Sequence, residues 1–459
     1  MKNNNLLRNS GVQSLLASLM CILVGLLAGY IALLIINAEG AWEAITTIVK
    51  NYSVYPSGPA QLKYLGNTLV KTAPLLMCAL SVLFAYKVGM FNIGVAGQYV
   101  AGACGCLYAA LAWNMPWYVC LLAGMAAAAL LGGISGWLKT ACNVNVVISG
   151  IMLNWITLYM TNLILGTVKS PNSPYTLGLQ GTNPGALLPK MGLDKLFNNE
   201  KSVTIAIPLA IIMAVLVWVV LNKTRFGYEL KATGNNYNAA KYAGMKENQN
   251  IILTMLIAGA LAGMGAGLLY LTGIEDWETT ISSVPAMGFN GIAVAFLGGL
   301  NPIGSILSAF FIQYITLGGG NVDLQVYCSQ ISSLISAVIS SIAVCKSCPH
   351  ACILPILQAY SLSVCSKIGN PSISARRSIA LPLFFSPSVA TIAPLPTVFG
   401  VYPSAVNLSM TISLVLGKSN PVSAFACNSR RISTYFSCNN FAFSINLFIR
   451  LVYAKNGKK

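Results

Sequence analysis

Ionisable groups are what this chain has least of. Its 459 residues include ten Asp and Glu, the last of them Asp323, and a single His, His350. Charged residues make up 8% and hydrophobic ones 56%, which leaves too little polar surface to coat soluble domains of that size. The scarcity also removes chemistry. The apolar runs hold no paired carboxylates, no nucleophile beside a base and no chain of Asp, Glu or His for a proton relay, so no catalytic residue is assigned and no enzyme is expected. A phosphate-binding loop is missing too, because the one nucleotide-like string, Gly417-Lys-Ser419, has Ile412 where the first glycine is required. A cleavable leader is not evident: Met1–Ser10 is polar, and Leu15–Asn37 is too long for a signal-peptide core, so it reads as a retained first span. The thirteen cysteines lie mostly in apolar runs, where a thiol behaves as a small hydrophobe.

What is abundant is apolar sequence in runs near the roughly 20 residues that cross a bilayer as a helix. The expected fold is an all-α polytopic membrane protein of about ten transmembrane helices. Spans are placed at about 14–37, 68–86, 98–113, 117–138, 144–166, 203–221, 251–272, 288–300 (short), 303–319 and 325–345. Some are short or broken half-helices, and the bundle is expected to consist of two loosely repeated halves. The expected organisation is an N-terminal tail over 1–13, a membrane domain over 14–345 and an atypical region over 346–459.

Orientation comes from the cations. With the N-terminus inside, the inner segments carry Lys2, Arg8, Lys87, Lys139, Lys223, Arg225, Lys231, Lys241 and Lys246 against Glu229 and Glu247, as the positive-inside rule expects. The opposite side carries Glu39, Glu43, Glu275, Asp276, Glu278 and Asp323. Two outer segments, 38–67 and 168–202, are rich in Pro, Gly and Asn. They read as ordinary loops or as a platform for a substrate-delivering protein, to which Trp277 and its acidic neighbours would add.

Small residues recur at helix-packing spacing. Gly259, Gly263 and Gly267 share one helix face, as do Gly132 and Gly136; close backbone approach lets helices associate in lipid, and packing within the chain is favoured over a dimer contact. Two segments break the hydrophobic pattern about 200 residues apart, Phe91–Gly97 and Phe289–Gly299. Interrupted segments in corresponding halves point to a transport pathway, because unwound backbone is tolerated only where it is buried or lines a cavity; glycine for tight packing is the competing explanation. The amides Asn92, Gln98, Asn154 and Asn290 tilt the reading toward a substrate pathway, since such groups are costly in hydrocarbon unless they bond each other or a ligand.

The polar stretch from Thr224 to Met245, wedged between the runs Val203–Leu221 and Ile251–Leu271, suits a short helix that docks on a soluble partner. Together with Gly89–Gln98, Val146–Trp155 and Gly288–Gly304, it resembles the ATP-binding-cassette importer permeases for simple sugars, nucleosides and branched-chain amino acids, and is most similar to the nucleoside type. The resemblance covers about 14–339. It implies that 14–345 is a permease domain in a bacterial cytoplasmic membrane, multi-pass and surrounded by lipid. It also implies three protein partners: an ATP-binding subunit, a second related permease and an extracytoplasmic substrate-binding lipoprotein. No nucleic acid is expected despite the net charge of +17, and no cofactor in this chain, ATP being used by the partner subunit. The coupling loop to that ATPase would use Thr224, Arg225, Gly227, Glu229, Lys231, Gly234 and Asn235, with the two glycines letting the chain turn. The cargo would be a nucleoside or simple sugar. A stand-alone secondary transporter or channel for a small polar solute is the alternative.

Beyond about residue 339 the pattern stops. Residues 324–459 hold 24 serines, seven cysteines, eleven basic and no acidic side chains. This composition reads as a frameshifted or otherwise non-homologous translation, with a basic extra segment as the alternative. Cys345, Cys348, His350 and Cys352 have zinc-ligand types, but they fall in this stretch and no metal site is assigned.

Overall fold

The structure, a computed structural model, describes residues 10–38 and 40–322. The expected span 325–345, the Cys345–Cys352 cluster, the region 346–459, Lys2 and Arg8 lie outside the described residues. Those described form helices and connecting loops, with only two isolated bridges, Lys169 to Thr176 and Tyr175 to Glu278, and no strand among them.

The helices are α1 (Ser10–Ile36), α2 (Ala41–Lys50), α3 (Gly58–Lys87), α4 (Val95–Leu111), α5 (Trp117–Cys142) and α6 (Val146–Leu165). There follow two four-residue turns, α7 (Leu179–Thr182) and α8 (Leu193–Leu196), then α9 (Ala206–Lys223), α10 (Arg225–Asn235), α11 (Tyr237–Tyr242), α12 (Glu247–Tyr270), α13 (Ala286–Leu297) and α14 (Pro302–Gly318). Among the described residues six are long and apolar enough to cross a membrane, α3, α5, α6, α9, α12 and α14, while Met20–Ile31, α4 and α13 are shorter apolar helices.

Local signals set several boundaries. Asn145, Asn301, Thr224 and Asn236 each cap a helix, accepting from the backbone N–H of Val147, Ile303, Gly227 and Ala239, which satisfies donors that have no partner in the first turn. Asn143 ends α5 in the left-handed conformation, φ 50°. Two expectations need correction. The segment 38–67 is not a loop: it holds α2 and the start of α3. Trp42, Glu43 and Lys50 of α2 face outward while Ala41, Ala44, Ile45 and Ile48 are buried. Nor does α3 begin near 68. Gly58-Pro59 starts it, because a proline in the first turn loses no hydrogen bond, and its polar opening turns hid it from a search for apolar runs.

Burial separates centre from periphery. In the apolar windows of α3 and α12, 89% and 72% of residues are buried, against 28% to 44% for α5, α6, α9 and α14. The central helices are therefore rich in small side chains, and glycine decides how they meet. A Cβ on Gly263 would stand 2.5 Å from the Gly124 carbonyl oxygen, and one on Gly136 3.1 Å from the Ile252 Cα. Gly259 lies against Ala128, Gly132 against Met255, and Gly267 against Leu121. Rising numbers on α5 pair with falling numbers on α12, so the two helices run antiparallel in backbone contact along the stripe. Gly102 of α4 enters the same junction, between Gly263 and Gly124.

Candidate functional site

Two interruptions of the bundle lie side by side. The first follows α3. Val88 closes the helix, and Gly89 turns the chain at φ 78°. Four more residues run unwound to Gly94 before α4 begins. Asn92 Nδ2 donates to Gln98 Oε1 at 2.9 Å, so the unwound strand is tied to the second turn of α4. Asn154 of α6 makes the other tie: its Oδ1 accepts from Gly97 N at 2.7 Å and its Nδ2 donates to the Ile93 carbonyl at 3.2 Å. All three amides are buried. Buried amides need partners, and here they find them in each other and in the backbone that the break leaves open. Gly94 and Gly150 meet backbone to backbone, a Cβ on Gly150 standing 2.8 Å from Gly94 N.

The second interruption follows α12 and is not where the sequence placed it. Phe289–Leu297 is helical, within α13, and the break is the loop before it, which has Gly273 at φ 69° and reaches α13 at Ala286. Gly288 of α13 then packs on α4, where its Cβ would be 2.8 Å from Ala96 N, and Gly291 packs on α3 at Cys78. The two breaks therefore meet through the first turns of α4 and α13. Asn290 lies half-buried on α13 between these two glycine contacts.

Trp277 does not extend an outer platform. It is 2% exposed, its indole N–H donates to Asn162 Oδ1 at 3.0 Å, and its backbone N–H donates to Thr176 Oγ1 at 3.2 Å. The Asn162 side chain also donates to the Ile281 carbonyl at 2.8 Å. The apolar ring is folded inward against Tyr270, centroids 5.9 Å apart, which a linear reading of its acidic neighbours could not anticipate. Sequence reasoning also missed Asn162: it ties α6 to the second break as Asn154 ties it to the first, and the i, i+8 spacing of the two amides on one helix was the available signal. Lys71 and Glu275, 2.8 Å apart, pin the same loop to α3.

At the other end of the bundle, the stretch after α9 forms two short helices rather than one. Thr224 caps α10, and Arg225 pairs with Glu229 at 3.1 Å while remaining 92% exposed in its side chain. Lys231 Nζ donates to Asn222 Oδ1 at 2.8 Å, and Asn235 is exposed at the end of the helix. The glycines do not turn the chain. Gly227 lies inside α10 and abuts the end of α9, a Cβ there standing 2.6 Å from the Leu221 carbonyl; Gly234 lies against the turn after α3, 3.0 Å from Gly89 N and closer still to the Lys87 carbonyl. They are glycine because two backbones touch. Thr233 Oγ1 accepts from Asn250 of α12 at 3.3 Å, and Tyr237 donates to Asn248 Oδ1 at 3.0 Å. Partial desolvation and the nearby Glu247 carboxylate raise the Tyr237 hydroxyl above its ordinary pKa. The outward face shows Tyr228 and Tyr242, 67% and 92% exposed.

Residues 64–342 match the family model described as branched-chain amino acid transport system / permease component. The chain is 33% identical over 316 residues, 68% of its length and 87% of the relative's, to the guanosine ABC transporter permease protein NupP of Bacillus subtilis (strain 168). It is 30% identical over 339 residues, 72% of its length and 91% of the relative's, to the nucleoside ABC transporter permease protein NupB of Lactococcus lactis subsp. cremoris (strain MG1363). A glucose ABC transporter permease protein, TsgB13 of Haloferax volcanii, is 28% identical over 268 residues, 57% of this chain and 70% of the relative. No solved structure matches the chain.

Proposed function

Because this chain belongs to the branched-chain amino acid transport system permease family, we propose that it is the membrane-spanning permease subunit of an ATP-driven importer for a nucleoside or simple sugar. The observation that carries the reading is the seating of α10 on the turn at Gly89. The exposed cationic segment and the first helix break share one backbone contact, Gly234 against Lys87 and Gly89, so a push on α10 reaches the break without any intervening flexible chain. Thr224, Arg225, Gly227, Glu229, Lys231, Gly234 and Asn235 form the docking element for an ATPase subunit, which supplies the nucleotide chemistry.

Asn92, Gln98, Asn154 and Asn290 border the substrate pathway. Asn92, Gln98 and Asn154 act as a latch, because amide-to-amide and amide-to-backbone hydrogen bonds exchange partners at little net cost. A substrate rich in hydroxyls or base edges would compete for them as the break opens. Permeases named guanosine and nucleoside transporters among the relatives favour a nucleoside. The full assembly would hold a second related permease and an extracytoplasmic binding lipoprotein, with the N-terminus of this chain inside, about ten spans in two related halves and the membrane domain ending near 345.

Uptake by proteoliposomes tests the function. The chain assembled with its ATPase and partner subunits should concentrate a labelled nucleoside only when MgATP is supplied on the α10 side. Concentrative uptake by the purified chain alone, driven by an ion gradient, would move it to the secondary-transporter class.

A further inference from the structure

The second break is bonded unevenly to its surroundings. On one side it is continuous with the segment that follows α6. Thr176 N donates to the Trp277 carbonyl, Thr279 N to the Pro174 carbonyl and Leu188 N to the Leu271 carbonyl, each at 2.9 Å. Asn162 holds this piece to α6 through Trp277 and Ile281, and Asn183 holds it to the end of α4, donating to the Ala110 carbonyl at 2.9 Å. Residues 174–188 and 271–281 therefore form one hydrogen-bonded plate. Residues 193–203 go with α3 instead: Lys63 pairs with Glu200 at 3.3 Å, and a Cβ on Gly66 would stand 3.0 Å from Phe197 Cβ. The chain passes from the plate to the α3 side through Met191 and Gly192, both left-handed, at φ 47° and 79°.

Across this seam the loop of the second break makes a single ionic or hydrogen-bonded contact with α3 among the described residues, Lys71 with Glu275 at 2.8 Å. Lys71 is the one charge between Lys63 and Lys87, on a helix whose apolar window is 89% buried. An ionisable side chain within a span points to function. α3 carries it about 24 Å along the helix from Lys87. α12 starts beside α10, at Asn250, and ends at Tyr270 just before the plate, so the pair lies at the end of the bundle away from α10. It also lies near a buried donor. Glu275 is close enough to act electrostatically on the hydroxyls of Tyr99 and Tyr270. Tyr99, next to Gln98 of the first break, is 1% exposed, and its hydroxyl has no hydrogen-bond partner. Such a group gains a bond when something polar reaches it.

We propose that the plate is a lid over the substrate pathway at the end away from α10, held closed by the Lys71–Glu275 pair and released from α3 as a unit when that pair breaks. The inference rests on the permease reading above and adds a gate to it. A partly exposed ion pair suits the task, since it contributes little stability and can break and reform in every cycle. The hydrogen bonds within the lid and to α6 keep its shape meanwhile. Opening uncovers Tyr99 to a cargo that carries hydroxyl or amide groups.

The test uses the assembled importer in proteoliposomes. The probe is Thr272→Cys, at a lid position 6% exposed in the closed chain, with the native cysteines replaced by alanine. Labelling by a charged, membrane-impermeant maleimide from the side away from α10 should be slow. Lys71→Gln and Glu275→Gln should each speed it about threefold to fivefold, the change that one exposed ion pair sustains, and the exchanged pair K71E/E275K should restore the slow rate. Two readouts need no cysteine change. Accumulation of cargo should fall in either glutamine variant and recover in the exchanged pair. Hydrogen exchange in Lys71→Gln should leave the Thr176, Leu188 and Thr279 amides as protected as in the wild type, because the lid moves whole. Unchanged labelling and accumulation in the glutamine variants, an exchanged pair that behaves like them, or loss of protection at those three amides would overturn the lid. Ion-driven uptake by the isolated chain would overturn the permease reading, and the labelling rates would still decide the lid.

Discussion

At the scale of single residues, the asparagines and glycines carry more structure than the charges. Asn154 bonds two backbone groups that the break before α4 leaves open. Asn154→Ala strands both, and unpaired buried groups cost about 1–3 kcal/mol each. A drop of several degrees in the melting temperature of the purified protein is expected together with loss of uptake; a variant melting like the wild type would show that the ties contribute nothing. Arg225 is the opposite case. Its pair with Glu229 is exposed, and such pairs contribute roughly 0–1 kcal/mol. Arg225→Ala should leave the melting temperature within error of wild type while weakening ATPase association, so a variant that retains full ATP-dependent uptake would remove this cation from the docking element.

Among elements, the junctions of α5 with α12 and of α10 with the turn after α3 are two of those that leave no room for a side chain. Gly259→Leu would drive a side chain into the Ala128 backbone. Overpacking usually costs about 1–3 kcal/mol, and here backbone rather than a movable side chain must yield, so poor accumulation in the membrane is expected on a quantitative blot. Gly234→Val should separate the two roles of its region. The clash with the turn at Gly89 lies outside the bundle core, so the chain should insert and accumulate normally yet transport nothing. Normal uptake by this variant would show that α10 need not rest on that turn. α10 and α11 were legible in the sequence as a polar, helix-compatible insert, but the purpose of their glycines was not, since a turn and a backbone contact use the same residue.

For the whole molecule, the match to the family model ends at residue 342, and the composition changes from Leu324 onward. A chain truncated after residue 345 is therefore expected to assemble with its partners and transport as the full chain does, measured by co-purification and uptake; loss of assembly on truncation would give the last 114 positions a role in the complex.

By itself the sequence determined that this protein is helical and crosses a membrane, because apolar runs of bilayer length with so few charges have no other stable form. It also determined where the first break falls, since glycine and asparagine interrupt the apolar pattern there, and it marked out the polar cationic segment. The second break it placed over Phe289–Gly299, where α13 is in fact helical to Leu297 and the interruption comes before Ala286. Only the tertiary structure decided what those residues touch. Gly97 facing Asn154, Gly288 facing Ala96 and Gly234 facing Gly89 join positions from 57 to 192 residues apart, and no local pattern encodes which backbones approach. The same holds for Trp277, buried where its acidic neighbours suggested exposure. Helical periodicity allots residues to faces, but the packing of the other helices decides which face is covered.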